Sequence, residues 1–121
     1  MTFFSTLPKT WLLDIDGTIL KHNGYLSGED ELLPGAKDFF LRISANDKII
    51  LLTSRKKKYQ EKLEIFLLKE GIRYDLIIYD LPVGERILIN DKKASGLPTA
   101  FAFNKQRDAK LDFSWDIDED L

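Results

Sequence analysis

Three short stretches concentrate the side chains able to do chemistry: Asp14-Ile15-Asp16-Gly17-Thr18, Thr53-Ser54-Arg55 and Asn90-Asp91-Lys92-Lys93. On an extended chain alternate side chains share a face, so Asp14 and Asp16 point the same way and lie close together. Two ionised carboxylates at that separation repel, which favours a bound cation or a proton on one of them. Asp91, arriving from a neighbouring strand, adds a third acid. Oxygen ligands gathered without His or Cys suit a hard cation, most simply Mg²⁺, with Asp14, Asp16 and Asp91 as its candidate ligands.

Composition narrows the remaining chemistry. The chain has 121 residues, no cysteine and one histidine, His22. Disulfides, thiolate metal sites, cysteine nucleophiles and multi-histidine sites are therefore excluded. Any reaction must rest on carboxylates, hydroxyls, lysines and arginines. The 18 basic and 20 acidic residues leave a net charge of −2. That balance lacks the basic excess of a dedicated nucleic-acid binder, so no nucleic-acid partner is expected. Apolar runs reach about four residues against the ~18 of a membrane span, and no secretory signal pattern opens the chain. A cytoplasmic protein without a membrane partner is expected. Its length suits one compact domain spanning residues 1–121.

The elements that must position these residues follow from periodicity. Thr10 to Asp16 and Lys48 to Thr53 are short apolar runs that read as buried parallel strands. Between them, Pro34-Gly35 opens a helix whose Ala36, Phe39, Phe40 and Ile43 share one face. A second helix runs from about Arg55 to Glu70, with Tyr59, Leu63, Phe66 and Leu67 on its stripe and Gly71 closing it. Further strands are expected at Asp75–Tyr79, Arg86–Asn90 and Thr99–Phe103. Alternating strands and helices give an α/β fold with a mostly parallel sheet flanked by helices. Only six residues separate Tyr79 from Arg86, too few for a parallel crossover, so one of those two strands is antiparallel, at an edge or not a strand. In such sheets ligands bind at the carboxyl ends of the strands, where the three chemical stretches fall.

Asp14-Ile15-Asp16-Gly17-Thr18 on a buried strand resembles the first motif of the haloacid dehalogenase-like (HAD) phosphatase superfamily. Leu51-Leu52-Thr53-Ser54-Arg55 is similar to its second motif and Ile89-Asn90-Asp91 to its acidic fourth, with Asn in place of the more usual first Asp. The resemblance runs from about Trp11 to Asn104. It implies a single Rossmann-like domain and an Mg²⁺-dependent phosphomonoester hydrolase. Asp14 is then the nucleophile that forms an aspartyl-phosphate, and Asp16 the general acid and base. Thr53 holds the transferring phosphoryl group, and Asp14, Asp91 and the Asp16 carbonyl hold the metal. The segments between motifs are too short for the cap domains that the superfamily inserts, which makes this a capless type.

The superfamily's third motif, a cation beside the nucleophile, has three candidates: Lys92, Lys93 and Arg86. Lys93 follows Asp91 at the appropriate strand end. Arg86 begins the same strand and should lie about 16 Å away, at ~3.3 Å per residue. Yet Gly84 to Asp91 resembles short members found in surface-polysaccharide pathways, whose pattern keeps that arginine. Lys93 is the expected cation and Arg86 the alternative.

Ser54, Arg55 and His22 are further candidates for contact with phosphate or substrate. Lys56, Lys57 and Lys58 read as a solvated run. The loop from Ile19 to Leu33, carrying His22, Asn23 and Tyr25, follows the nucleophile and should set specificity for a small phosphorylated metabolite such as a sugar, polyol or amino-alcohol phosphate. An uncapped site is covered by its substrate or by a second copy of the chain, which makes a homo-oligomer an expected partner state. Two other functions compete: a receiver-type phosphoacceptor module, with Asp80 as its phosphorylated residue, and a nucleic-acid end phosphatase.

Overall fold

Two five-residue apolar runs meet side by side and set the frame. The computed structural model describes residues 1–121. From the N-terminus its elements are β1 (Phe3–Phe4), β2 (Thr10–Asp14), α1 (Gly24–Ser27), α2 (Ala36–Arg42), β3 (Lys48–Leu52), a 3-10 turn (Lys57–Tyr59), α3 (Gln60–Lys69), β4 (Leu76–Ile78) and β5 (Asp116–Ile117). β2, β3 and β4 form a three-stranded sheet with β3 central and every pair parallel. The register aligns Asp14 with Leu52 and Leu52 with Ile78, so three carboxyl ends share one edge. A second, two-stranded parallel sheet joins β1 to β5.

The core lies where the periodicities converge. Ile49 and Leu51 of β3, Ala36, Phe39 and Phe40 of α2, and Leu63 and Leu67 of α3 are buried together with Ile15, Ile19 and Leu20. Removing one such leucine side chain from water is worth about 1.5–3 kcal/mol, which is what holds these short helices in place. Gly35 precedes α2 with φ +85°, and a Cβ there would meet the carbonyl oxygen of Leu111. Gly71 follows α3 with φ +72°, the left-handed turn expected of a helix-terminating glycine. Only a loop, α1 and α2 separate β2 from β3, and no cap is present. No helix is long and apolar enough to cross a membrane.

The fold is the expected α/β class, with two of the expected strands absent and two short unexpected ones, β1 and β5, paired at its side. β4 is parallel and at the sheet's edge, one of the outcomes the short Tyr79–Arg86 spacing allows. The expected strands at Arg86–Asn90 and Thr99–Phe103 do not form. Ile87, Leu88 and Ile89 are 83%, 54% and 91% exposed, so they lack the packing against a sheet face that a strand of such residues draws on. The segment from Pro82 to Trp115 instead runs irregularly over the frame. It is tied down where Asp108 N–H donates to the Gly17 carbonyl (2.9 Å) and Leu111 N–H to the Pro34 carbonyl (2.9 Å).

Candidate active site

The site is built on the turn that ends β2. Ile15 N–H donates to the Leu52 carbonyl (3.0 Å), carrying the pairing one residue past Asp14. The Ile15 carbonyl then accepts from the N–H groups of Thr18, Ile19 and Leu20, which folds the chain back sharply. Gly17 makes this possible with φ +86°, and a Cβ there would stand 3.2 Å from Cγ of Arg107. The turn hands Asp14 and Asp16 to different partners.

Asp14 is the accessible one. Its Oδ1 lies 2.9 Å from Nη1 of Arg86 and its Oδ2 accepts from the Thr18 hydroxyl at 3.2 Å. The Asp14 and Arg86 side chains are 38% and 35% exposed. Asp16 is sheltered, with 15% of its side chain exposed. Its Oδ2 accepts from the Thr53 hydroxyl (3.1 Å), and its Oδ1 from Nη2 of Arg55 (2.8 Å). Arg55 Nε adds contacts to both oxygens at 3.1 and 3.2 Å.

Thr53 is fully buried because its backbone continues the sheet edge, with its N–H bonded to the Ile78 carbonyl. Its hydroxyl oxygen also accepts from Arg55 N–H at 3.0 Å, so one side chain fixes the approach of Arg55 to Asp16. The guanidinium of Arg55 is held from the other side by Asp30, with Nη1 to Oδ2 at 3.0 Å and Nη2 to Oδ1 at 2.6 Å. Both side chains are 1% exposed. The Tyr25 ring centroid lies 3.9 Å from the guanidinium carbon, and the Tyr59 ring packs edge-on against Tyr25. Burial alone favours loss of the Arg55 proton, but hydrogen bonds to Asp30 and Asp16 outweigh it and hold the guanidinium charged, its pKa above the ordinary value. Burial, then the charge of Asp16, raises the pKa of Tyr25.

Several expectations are corrected by this geometry. Arg86 was expected about 16 Å from Asp14 on the premise of ~3.3 Å per residue along one strand. No strand forms there, and the irregular chain brings Arg86 directly onto the carboxylate. Lys93 and Lys92 are exposed and form no ion pair; Lys93 is engaged through its backbone with Leu97 and Gly96. The Arg55 guanidinium, expected to face phosphate or substrate, is instead buried against Asp16, Asp30 and Tyr25. Ser54 reaches only the Pro82 carbonyl, at 3.5 Å, and His22 takes part through its backbone N–H, which donates to Asp108 (2.7 Å). Asp80 stands past β4 at φ +59°, where Lys56 and the Lys57 N–H face its carboxylate.

The expected metal ligands are not brought together. Asp91 is exposed on the irregular segment, and its carbonyl accepts from the Thr99 hydroxyl. Both oxygens of Asp16 face Arg55, and one of Asp14 faces Arg86. No group of three or more His, Cys, Asp or Glu is placed to hold an ion. This donor set does not fit Mg²⁺ held by Asp14, Asp16 and Asp91.

Two functional neighbours escaped the sequence reading. Asp30 sits in the acidic run Glu29-Asp30-Glu31, which reads as surface, yet it alone of the three turns inward. Lys105 Nζ donates to the Gly17 carbonyl at 3.1 Å, and burial lowers its pKa. The only signal for either is chemical: a buried arginine needs an anion, and a tight glycine turn leaves a carbonyl to satisfy.

Neither a protein-family profile nor a curated protein matches the sequence. Solved structures similar to it include a chain of the Pnkp1/Rnl/Hen1 RNA repair complex, 31% identical with a TM-score of 0.51. The match covers 65% of this chain and 28% of that one. A chain in another structure of the Pnkp1/Rnl/Hen1 complex matches at 31% identity and a TM-score of 0.53, over 69% of this chain and 32% of that one. The 121-residue chain thus spans about a third of the length of its neighbours, and is similar over about two thirds of its own to part of a chain in an RNA repair assembly.

Proposed function

We propose that the chain is a phosphomonoester hydrolase of the HAD type, with Asp14 as nucleophile and Asp16 as general acid and base. The supporting observation is the unequal treatment of two carboxylates two residues apart. Asp14 is open to an incoming ligand and faces a cation; Asp16 is sheltered and oriented by Thr53 and Arg55. Environments that differ in this way divide the labour between paired acids.

In the reaction an Asp14 oxygen attacks phosphorus and the bond from phosphorus to the ester oxygen breaks. Asp16 passes a proton to the departing alkoxide, so an alcohol leaves. Water then attacks the aspartyl-phosphate. Asp16 takes a proton from that water, inorganic phosphate departs, and the Asp14 carboxylate is regenerated. Phosphoryl transfer is mostly positioning and charge stabilisation, and Arg86 is placed to offset repulsion between Asp14 and the phosphoryl oxygens.

The substrate class implied by the resemblance to short capless HAD members is a small sugar, polyol or amino-alcohol phosphate. A nucleic-acid end phosphate is the second reading, favoured by likeness to a chain of an RNA repair complex. Phosphate release from a panel of these esters and of 3′- and 5′-phosphorylated oligonucleotides, in buffer supplemented with Mg²⁺, tests both. Wild-type protein should turn over one group and Asp14→Asn neither. Undiminished turnover by Asp14→Asn overturns the covalent mechanism.

A further inference from the structure

We infer that Asp30 and Tyr25 are positioning residues that act through Arg55 on Asp16, tying the loop after the first motif to the proton-transfer step. This rests on the hydrolase reading above. Arg55 comes from the end of β3, Asp30 from the close of the Ile19–Leu33 loop, and Tyr25 from α1 within that loop. The guanidinium is a rigid planar fork, and its nitrogens are divided between two carboxylates, Nε and Nη2 toward Asp16, Nη1 and Nη2 toward Asp30. With Asp30 bonded through both oxygens and the Tyr25 ring stacked at 3.9 Å, the plane of the fork is set on the side remote from Asp16. The plane of the Asp16 carboxylate follows from it.

A purely architectural reason for the cluster is weak. Burying an ion triad is costly, and well-packed apolar side chains of similar volume often serve stability better. What apolar packing does not supply is an oriented carboxylate. An acid or base must be held within about 0.5 Å and 10–20° of its productive geometry by supporting hydrogen bonds. Asp16 receives that support while keeping 15% of its side chain open. The loop itself is pinned rather than loose: Lys21 N–H bonds the Glu31 carbonyl at 2.9 Å and Leu33 N–H the Ile19 carbonyl at 2.8 Å. A segment expected to contact substrate thus also carries the anion that steadies the acid–base.

Leaving-group dependence separates positioning from mere stability. An alkoxide needs a proton to depart, whereas p-nitrophenolate departs without one. In Asp30→Asn and Tyr25→Leu, kcat/KM for a polyol phosphate should fall further than kcat/KM for p-nitrophenyl phosphate, by about tenfold or more in Asp30→Asn. Tyr25→Phe keeps the ring and should retain the wild-type ratio. If Asp30→Asn fails to fold, Tyr25→Leu against Tyr25→Phe decides alone. Equal losses on both esters in the variants that fold overturn the inference and leave the hydrolase reading standing. Turnover that survives Asp14→Asn defeats that reading instead, and the inference with it.

Discussion

Two arginine–aspartate contacts lie two residues apart just before one glycine turn, and they are physically unlike. Arg55 and Asp16 meet in the interior, with Asp30 completing the set and almost no water at the guanidinium. Arg86 and Asp14 meet at the surface, each about a third exposed. In the first, each charge depends on its partners, since an unpaired ion left in a dry site has no solvent to turn to. In the second, water can take over from either partner. Breaking the interior contact is therefore costly to the fold, whereas the surface contact stays free to be exchanged for a ligand.

The largest expected effect breaks the interior cluster. Arg55→Met strands two facing carboxylates and should destabilise the fold by about 3–5 kcal/mol, read from the midpoint of urea denaturation. Arg86→Ala should cost about 1 kcal/mol or less in the same measurement. Comparable losses in the two variants would erase the distinction between the sites.

Catalysis should rank the surface residues differently. If Arg86 offsets charge at the nucleophile, Arg86→Ala should lower kcat about 10²-fold while leaving the fold intact. Lys93→Ala, at a side chain without an ion pair, should leave kcat unchanged. Steady-state kinetics on the best ester of the panel checks both. The opposite pattern would return the role to Lys93 and require the segment after Tyr79 to rearrange on binding.

The comparison also shows where reading residues in order succeeds. β2 and β3 start where their apolar runs start, the stripe of α2 is buried, and of the second stripe Leu63 and Leu67 are buried while Tyr59 and Phe66 are half-buried. Both signals are local: a period of two or 3.6 is written in neighbouring residues. Burial of an ion is not local. Arg55 heads a run of four cations of which three are exposed, and its counter-ion lies 25 residues earlier in an acidic run of which two are exposed. Nothing in either run marks the member that turns inward. The stretch Arg86–Asn90 fails for a related reason: an apolar triplet suits a strand, but whether it reaches an open edge of β2 or β4 is decided by residues far away in the chain. Its failure to pair is what puts Arg86 on Asp14.

The smallest expected effect extends the contrast to the next strand end. The Tyr79 hydroxyl, one residue past β4, donates to Glu64 at 3.0 Å. Burial and this bond raise its pKa above the ordinary value near 10, while the charge of Arg55 pulls weakly the other way. The folded chain thus keeps a proton that the unfolded chain releases. Such a group contributes stability that is complete below pH ~10 and is lost as pH rises toward its folded pKa. Lys105 runs opposite: its proton is held less tightly in the fold, so its contribution grows more favourable as pH climbs toward the ordinary lysine value. Comparing Tyr79→Phe with wild type, in which Lys105 is common to both, isolates the tyrosine. Urea midpoints measured between about pH 9 and 11 should fall less steeply in Tyr79→Phe. Parallel slopes would mean that the Glu64 bond does not survive in solution, and that Tyr79 sits on the exposed side of the comparison, with Asp14 and Arg86.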